Sequence, residues 1–115
     1  MSESKLRNLS MDFAVEIVNL VRELRSKHEN VIANQIGRSG TSIGANIHEA
    51  AYAQGKKDFV SKLEIALKEA SETEYWLELL HESGYLNDNR FNSIYNDCQE
   101  LLRILMAITK KRNEA

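Results

Sequence analysis

The sequence predicts an all-α protein, an antiparallel up-down-up-down four-helix bundle, and two observations carry this prediction. Proline is absent from the 115 residues and glycine occurs only five times, while leucine, glutamate and alanine are abundant, which is typical of chains that are helical nearly throughout. Apolar residues also recur at intervals of three to four in four segments, joined by connections short enough to make neighbours antiparallel. No composition break divides the chain, so we predict one domain over residues 1–115.

The first helix is predicted over about residues 10–27. Its apolar face would contain Phe13, Ile17, Leu20 and Leu24, with Val21 beside them, and charged residues lie largely off this face. Ser10 precedes the periodic segment, and serine is a favoured N-cap residue. We therefore expect the helix to start at Ser10.

The second helix is predicted over about residues 31–52, ending before Gly55, and it carries the most informative pattern in the chain. Ile36, Ile43 and Ile47 form its apolar stripe, and Gly37, Gly40 and Gly44 remove the side chains from a neighbouring stripe. Each glycine inside a helix costs about 1 kcal/mol relative to alanine. We therefore predict that these three glycines allow unusually close helix packing.

The third and fourth helices are predicted over about residues 56–82 and 88–111. Gly84 is suitably placed to end the third helix, and Asn87 or Asp88 can cap the fourth. Both helices have an apolar face with the spacing of bundle cores. Its members are Phe59, Leu63, Ala66, Leu67, Ala70, Leu77, Leu80, Phe91, Ile94, Tyr95, Cys98, Leu101, Leu102, Leu105 and Ile108.

Composition also indicates the cellular compartment in which the protein works. Cys98 is the single cysteine, so a disulfide framework is excluded and a small buried hydrophobic side chain is the simpler interpretation. No apolar run approaches the roughly 18 residues of a membrane span, and the first residues lack the apolar core of a signal peptide. We expect a cytoplasmic protein without a membrane partner.

Catalytic motifs are weak, so we predict no enzyme, cofactor, metal or small-molecule substrate. Glu78 and His81 have the Glu-x-x-His spacing of di-iron bundles, but that chemistry needs two such motifs and two further glutamates. His48 and Glu49 lack the second histidine of a metalloprotease helix. A bundle-core metal enzyme remains as a remote alternative.

A row of polar residues follows one face of the second helix. Arg38, Ser42, Asn46 and Glu49 are spaced by four, four and three residues, and Ser39 lies next to the row. Side chains at these spacings are neighbours on a helix surface. The row is interpreted as one hydrogen-bond network that fixes the register between helices or subunits, with an RNA or ligand contact as the alternative.

The segment 35–49, followed by Lys56-Lys57-Asp58-Phe59 and the run from Leu63 to Glu74, resembles the bacterial four-helix bundle family called 23S ribosomal RNA intervening-sequence proteins. Gly84-Tyr85-Leu86 is similar to the turn before the last helix of that family. Two departures are present: Gly44 stands where the family commonly has proline, and His48 and Ala50 flank Glu49 in place of alanine and glycine. This chain therefore lacks the proline that would kink the helix in that family.

The resemblance implies an antiparallel bundle assembled into a homo-oligomeric ring, typically a homopentamer, in a family with no established catalytic activity. A distantly related pentameric bundle binds nucleic acid as an accessory factor to reverse transcriptases. Apolar residues off the main seams independently predict a subunit interface, because a lone bundle of this size should have polar outer faces. These residues are Val15, Val18, Val60, Ile65, Trp76 and Leu79.

The formal net charge of −2 opposes nucleic-acid binding, but the charges are unevenly distributed. In an up-down bundle the start of the first and third helices and the end of the second and fourth share one pole. That pole would collect a local charge of +5, and a ring would multiply it. Candidate nucleic-acid contacts there are Lys56, Lys57, Lys110, Lys111 and Arg112.

From these observations we predict a non-enzymatic oligomeric scaffold or binding module, with RNA or a nucleoprotein as the preferred partner of the basic pole. The alternative is a protein-directed adaptor that does not bind nucleic acid. Basic residues after a helix C-terminus can also simply complement the helix dipole, which leaves the pole open to a purely structural explanation.

Overall fold

The computed structural model describes residues 3–114 of the chain, and the side chains of residues 5–111. The described chain contains four α-helices: α1 (Glu3–Ser26), α2 (Asn30–Ala50), α3 (Lys56–Glu82) and α4 (Asp88–Glu114). No strand occurs in this range, so the all-α prediction is confirmed. The molecule measures 46 × 21 × 19 Å along its principal axes.

The start of α1 corrects the sequence prediction. The helix begins at Glu3 rather than at Ser10, and Ser10 lies inside it, where its hydroxyl donates a hydrogen bond to the Arg7 carbonyl oxygen at 2.9 Å. Leu6 lies seven residues before Phe13 and is 1% exposed. Burial of Leu6 on the same face therefore extends the helix by two turns, which outweighs the capping preference of Ser10.

A left-handed residue ends α1. His28 has φ of 64°, and the N–H groups of His28 and Glu29 donate to the carbonyl oxygens of Arg25 and Leu24 at 3.0 and 2.9 Å. This is the Schellman arrangement, in which glycine is the usual left-handed residue. The Glu29 carboxylate then accepts the N–H of Ile32 at 3.3 Å and caps α2.

The turn between α3 and α4 follows the sequence closely. Gly84 has φ of 87°, and the N–H of Tyr85 donates to the Leu80 carbonyl oxygen at 2.9 Å, giving a second Schellman ending. The side-chain oxygen of Asn87 accepts the N–H of Arg90 at 2.8 Å. Of the two residues considered as the cap of α4, Asn87 is therefore the one that caps it, while α2 ends at Ala50, two residues earlier than expected.

Each helix packs against two others, in the pairs α1–α2, α2–α3, α3–α4 and α1–α4. Late residues of one helix meet early residues of the next: Gly37 lies against Val21 and Gly44 against Ser10, while Lys62 contacts Glu49 at 3.1 Å. The core lies between the four helices. Its largest fully buried side chains are Leu6, Phe13, Ile17, Leu20, Leu24, Ile36, Ile43, Leu63, Leu77, Leu80, Ile94 and Leu101.

The predicted outer apolar stripe is present only in part. Val15, Val18 and Ile65 are 53%, 41% and 41% exposed, and Trp76 is half-buried. Val60 was placed in this stripe, but it is 6% exposed. Because Val60 is buried within the chain, its assignment to an exposed outer stripe is wrong. Within the described residues, none of the helices is both long and apolar enough to cross a lipid bilayer.

Candidate functional site

One end of the molecule gathers the start of α1, the end of α2, the start of α3 and the end of α4. Residues from all four helices line one narrow cavity there, including Arg7, Ala50, Phe59 and Ile108. The lysines that flank these positions are exposed. We call this end the basic pole and define it by Lys5, Arg7, Lys56, Lys57, Lys110 and Lys111.

Two further basic residues, Lys62 of α3 and Arg112 of α4, are not part of this definition. Lys62 is 31% exposed and pairs with Glu49 at 3.1 Å, so part of its charge is compensated within the chain. The side chain of Arg112, a candidate nucleic-acid contact, lies outside the described side chains. The exposed lysines closest to the helix ends are therefore Lys56 and Lys57 on α3, and Lys110 and Lys111 on α4.

The beginning of α3 is electrostatically unusual. Gly55 occupies the N-cap position and supplies no side-chain cap, and an open surface here is lined by Gln54, Lys56, Lys57 and Ser61. The positive end of the helix dipole lies at this terminus and disfavours cations. Asp58 compensates for this in part, and its carboxylate accepts the N–H of Gln54 at 3.3 Å.

The three glycines of α2 face α1 with different clearances. A Cβ atom at Gly40 would lie 2.8 and 2.9 Å from the Cγ1 and Cγ2 atoms of Ile17, and one at Gly37 would lie 3.2 Å from the Cγ2 atom of Val21. At Gly44 the nearest atom would be the Ser10 Oγ, at 3.4 Å, which is an ordinary contact. Close approach of the two helices is therefore tightest at Gly40.

An apolar groove lies on the outside of the α1–α2 pair. It has a volume of about 450 Å³ and is lined by residues that include Met11, Ala14, Gly44, Ala45 and His48. Met11 is 65% exposed, and Val15, one turn further along α1, is 53% exposed. The small residues of α2 thus form the floor of an open and mostly apolar surface, to which α1 contributes Met11 and Ala14 together with the polar Arg7 and Ser10.

The polar row on α2 does not form the single network that the spacing suggested. Within the described residues, no side-chain to side-chain hydrogen bond joins any two of Arg38, Ser39, Ser42, Asn46 and Glu49. Ser42 donates to the Arg38 carbonyl oxygen at 2.6 Å and Asn46 to the Ser42 carbonyl oxygen at 2.9 Å. The backbone one turn earlier thus satisfies these two side chains, whereas the other three residues of the set bond to α3.

Arg38 is the centre of an ion-pair cluster between α2 and α3. Its guanidinium contacts Glu69 at 2.8 Å and also Glu72, and the Glu72 carboxylate accepts the indole N–H of Trp76 at 2.9 Å. The hydrogen bond with Arg38, followed by that with Trp76, lowers the pKa of Glu72, and the bond to Glu72 raises the pKa of Arg38. Arg38 is half exposed, so the contribution of the cluster to stability is small.

A buried hydroxyl pair also joins α2 to α3. Ser39 and Thr73 are both 0% exposed, their oxygens are 2.8 Å apart, and the Thr73 hydroxyl donates to the Glu69 carbonyl oxygen at 2.8 Å. Because a hydroxyl carries one proton, Ser39 must then donate to Thr73. Thr73 was not among the predicted site residues, although its position between Ala70 and Leu77 on the apolar face of α3 indicates burial.

The residues considered for catalysis have partners of other kinds. The Glu78 carboxylate accepts the Tyr95 hydroxyl at 2.8 Å, and His81 contacts Asp88 at 2.8 Å while stacking on Phe91. Burial raises the pKa of the Cys98 thiol to about 12, which keeps this thiol protonated and unreactive. Within the described part of the chain, no group of three or more histidine, cysteine, aspartate or glutamate residues is arranged to hold a metal ion.

The fold and these surfaces define a class: small four-helix proteins with apolar and charged outer faces. The family of 23S rRNA-intervening sequence proteins matches residues 2–107, so the chain belongs to this family. A crystal structure of a protein with unknown function from the S23 ribosomal protein family of Bacteroides thetaiotaomicron VPI-5482 is also similar. It is 50% identical, with a TM-score of 0.92 over 96% of this chain and 99% of that chain. A comparison with curated proteins gives no match.

Proposed function

We propose that this protein is a non-enzymatic, self-associating binding module of the cytoplasm, whose basic pole binds RNA or a nucleoprotein. The observation that carries the proposal is the meeting of all four helices at one end, where exposed lysines surround them. We infer an antiparallel up-down-up-down bundle from the contacts between late residues of one helix and early residues of the next. The name of the family supports an RNA connection.

The lysines at the start of α3 support binding over a purely structural explanation. Lys110 and Lys111 lie near the C-terminal end of α4, where the helix dipole favours cations, so dipole stabilisation alone could account for them. Lys56 and Lys57 occupy the first turn of α3, where the dipole disfavours cations. A phosphate backbone would compensate for this unfavourable placement, since it adds negative charge at a helix start that Asp58 neutralises only in part.

Self-association would increase the charge of the pole. A ring of parallel copies, which we propose to be a pentamer as the family resemblance suggests, would place every basic pole on one rim. The open apolar groove and the exposed Met11, Val15 and Val18 of α1 support an interface on the α1–α2 side. Apolar surface of this kind is a normal feature of subunit contacts.

The RNA proposal is tested by removing charge at the pole. The fourfold variant Lys56→Gln, Lys57→Gln, Lys110→Gln and Lys111→Gln should bind a single-stranded RNA of about 20 nucleotides at least roughly tenfold more weakly, with a clearly reduced salt dependence. A matched control replaces four exposed basic residues elsewhere and should retain most of the affinity. Its substitutions are Arg22→Gln, Lys27→Gln, Lys68→Gln and Arg103→Gln. Equal losses in both variants, or no binding at low salt, would exclude the basic pole.

The assembly is tested by light scattering on the eluting protein. Val15→Glu places a charge on the exposed apolar surface of α1 and should reduce the mass of the particle to that of one chain. Asn92→Glu adds the same charge at an exposed position of α4 and should leave the mass unchanged. A wild-type protein that is monomeric at all concentrations would overturn the ring.

A protein-directed adaptor is the second candidate function. It is favoured by the α2–α3 surface, where Tyr75 is 57% exposed and packs edge-on against Trp76 at 4.9 Å beside Arg38. Tyrosine, tryptophan and arginine are the residue types that dominate protein interfaces. The same RNA titration separates the two functions, because an adaptor would bind no RNA at any salt concentration.

A further inference from the structure

The surface between α1 and α4 contains a small acidic cavity. It has a volume of about 140 Å³ and a floor that includes Phe13 and Leu101. Four carboxylates line it: Asp12 and Glu16 from α1, and Asp97 and Glu100 from α4. No basic residue contributes to its lining. The two helices therefore meet across like charges at the middle of their contact.

We propose that this α1–α4 seam is a proton-dependent latch, in which a proton shared by Glu16 and Asp97 holds the two helices together and its loss loosens α4. Two carboxylates that face each other cannot both ionise without repulsion, whereas one shared proton makes a hydrogen bond between them. The proton thus converts a repulsive contact into an attractive one.

The surroundings of Glu16 favour its protonated form. Burial, then the hydrogen bond to Asp97 and the charges of Asp97 and Asp12, raise the pKa of Glu16 to about 7, against a smaller opposing effect of Arg90. Arg90 pairs with Glu23 at 2.8 Å, two turns further along α1, so it lies away from the cavity. α2, which packs on another side of α1, contributes no residue to the cavity.

The latch lies between two helices that are held together by side-chain contacts alone. α1 and α4 are the neighbouring helices that no loop joins, so only side-chain contacts hold them together. A group with a raised pKa stabilises the folded state fully below its unfolded pKa of 4.5, and this stabilisation is lost as the pH rises through about 7. The seam should therefore be tightest in mild acid and should loosen towards alkaline pH.

Hydrogen exchange read by mass spectrometry tests the latch, with rates corrected for the intrinsic pH dependence. Between about pH 5.5 and 8.5, protection of the α4 amides should fall at least about tenfold relative to that of the α2 amides. In Glu16→Gln, which keeps a hydrogen-bond donor but cannot titrate, this relative protection should not depend on pH. The control Glu82→Gln removes an exposed carboxylate of α3 and should behave as wild type.

A second measurement keeps the proposal testable if Glu16→Gln folds poorly. The side-chain carboxyl carbon of Glu16, followed by NMR, should titrate with a midpoint near 7 in the wild type and at lower pH in Asp97→Asn. A wild-type midpoint near 4.5, or the same loss of α4 protection in wild type and Glu16→Gln, would overturn the latch.

Discussion

The close contact between α1 and α2 predicts the outcome of adding a single methyl group to α2. In Gly40→Ala the new Cβ would lie 2.8 Å from the Cγ1 atom and 2.9 Å from the Cγ2 atom of Ile17. Ile17 is itself 0% exposed, so it cannot turn aside into solvent. The helices must separate locally, and overpacking of this kind costs about 1–3 kcal/mol.

The opposing term is the better helix propensity of alanine, about 1 kcal/mol. We therefore expect Gly40→Ala to lower the free energy of unfolding by up to about 2 kcal/mol and the melting temperature by about 4 °C for each kcal/mol lost. Gly44→Ala, whose Cβ would make only an ordinary contact at 3.4 Å, should instead stabilise the helix by up to about 1 kcal/mol. Gly37→Ala should fall between the two.

The assay is denaturant unfolding followed by circular dichroism at one protein concentration, with the particle mass checked for each variant because association changes apparent stability. Combining Gly40→Ala with Ile17→Ala should give a smaller loss than the sum of the single losses, since the second change removes the clashing atoms. A Gly40→Ala variant at least as stable as Gly44→Ala would refute the close-packing interpretation.

Three further predictions concern other parts of the fold. His28→Gly should raise the free energy of unfolding by about 1 kcal/mol in the same denaturant assay, because glycine adopts the left-handed conformation of His28 without strain. Cys98, whose pKa burial raises to about 12, should react with a thiol reagent at mildly alkaline pH only as fast as the protein unfolds, and rapid labelling of folded protein would contradict this. Thr73→Val alone should destabilise by about 1–3 kcal/mol, because the buried Ser39 hydroxyl would lose its acceptor, whereas Ser39→Ala with Thr73→Val should cost less than the two single changes together.

The number and order of the helices were predictable from the sequence, because burial of one face of each helix requires apolar residues at intervals of three to four. α3 begins and ends where the sequence indicates, and Gly84 and Asn87 act as the expected terminal residues. The predicted start of α1 was wrong because it relied on the capping preference of Ser10. The burial of Leu6 stabilises a longer helix and outweighs that local preference. Helical spacing also placed Val60 in the exposed outer stripe, although it is buried. Burial of a residue at the edge of a helix face depends on the neighbouring elements, which spacing alone does not show.

The sequence predicted which helix ends form the candidate site, but it predicted few of the individual side-chain contacts. Topology alone indicates which helix ends share a pole, so the positions of Lys56 and Lys110 followed from helix order. Spacing along α2 could not reveal that Ser42 and Asn46 donate to backbone carbonyl oxygens of their own helix. The same spacing would occur if these side chains were bonded to one another. The carboxylates facing each other between α1 and α4 depend on the relative rotation of those helices, which the sequence does not specify.

The meeting of Arg7 and Ile108 beside one cavity has a practical consequence for engineering this protein. The start of α1 and the end of α4 lie at the same end of the molecule. A short flexible linker should therefore join them in a circular permutant whose new termini lie in the connection between Ala50 and Lys56. A tag joined before α1 or after α4 would therefore lie beside the lysines of the basic pole, so it should be removed before RNA binding is measured.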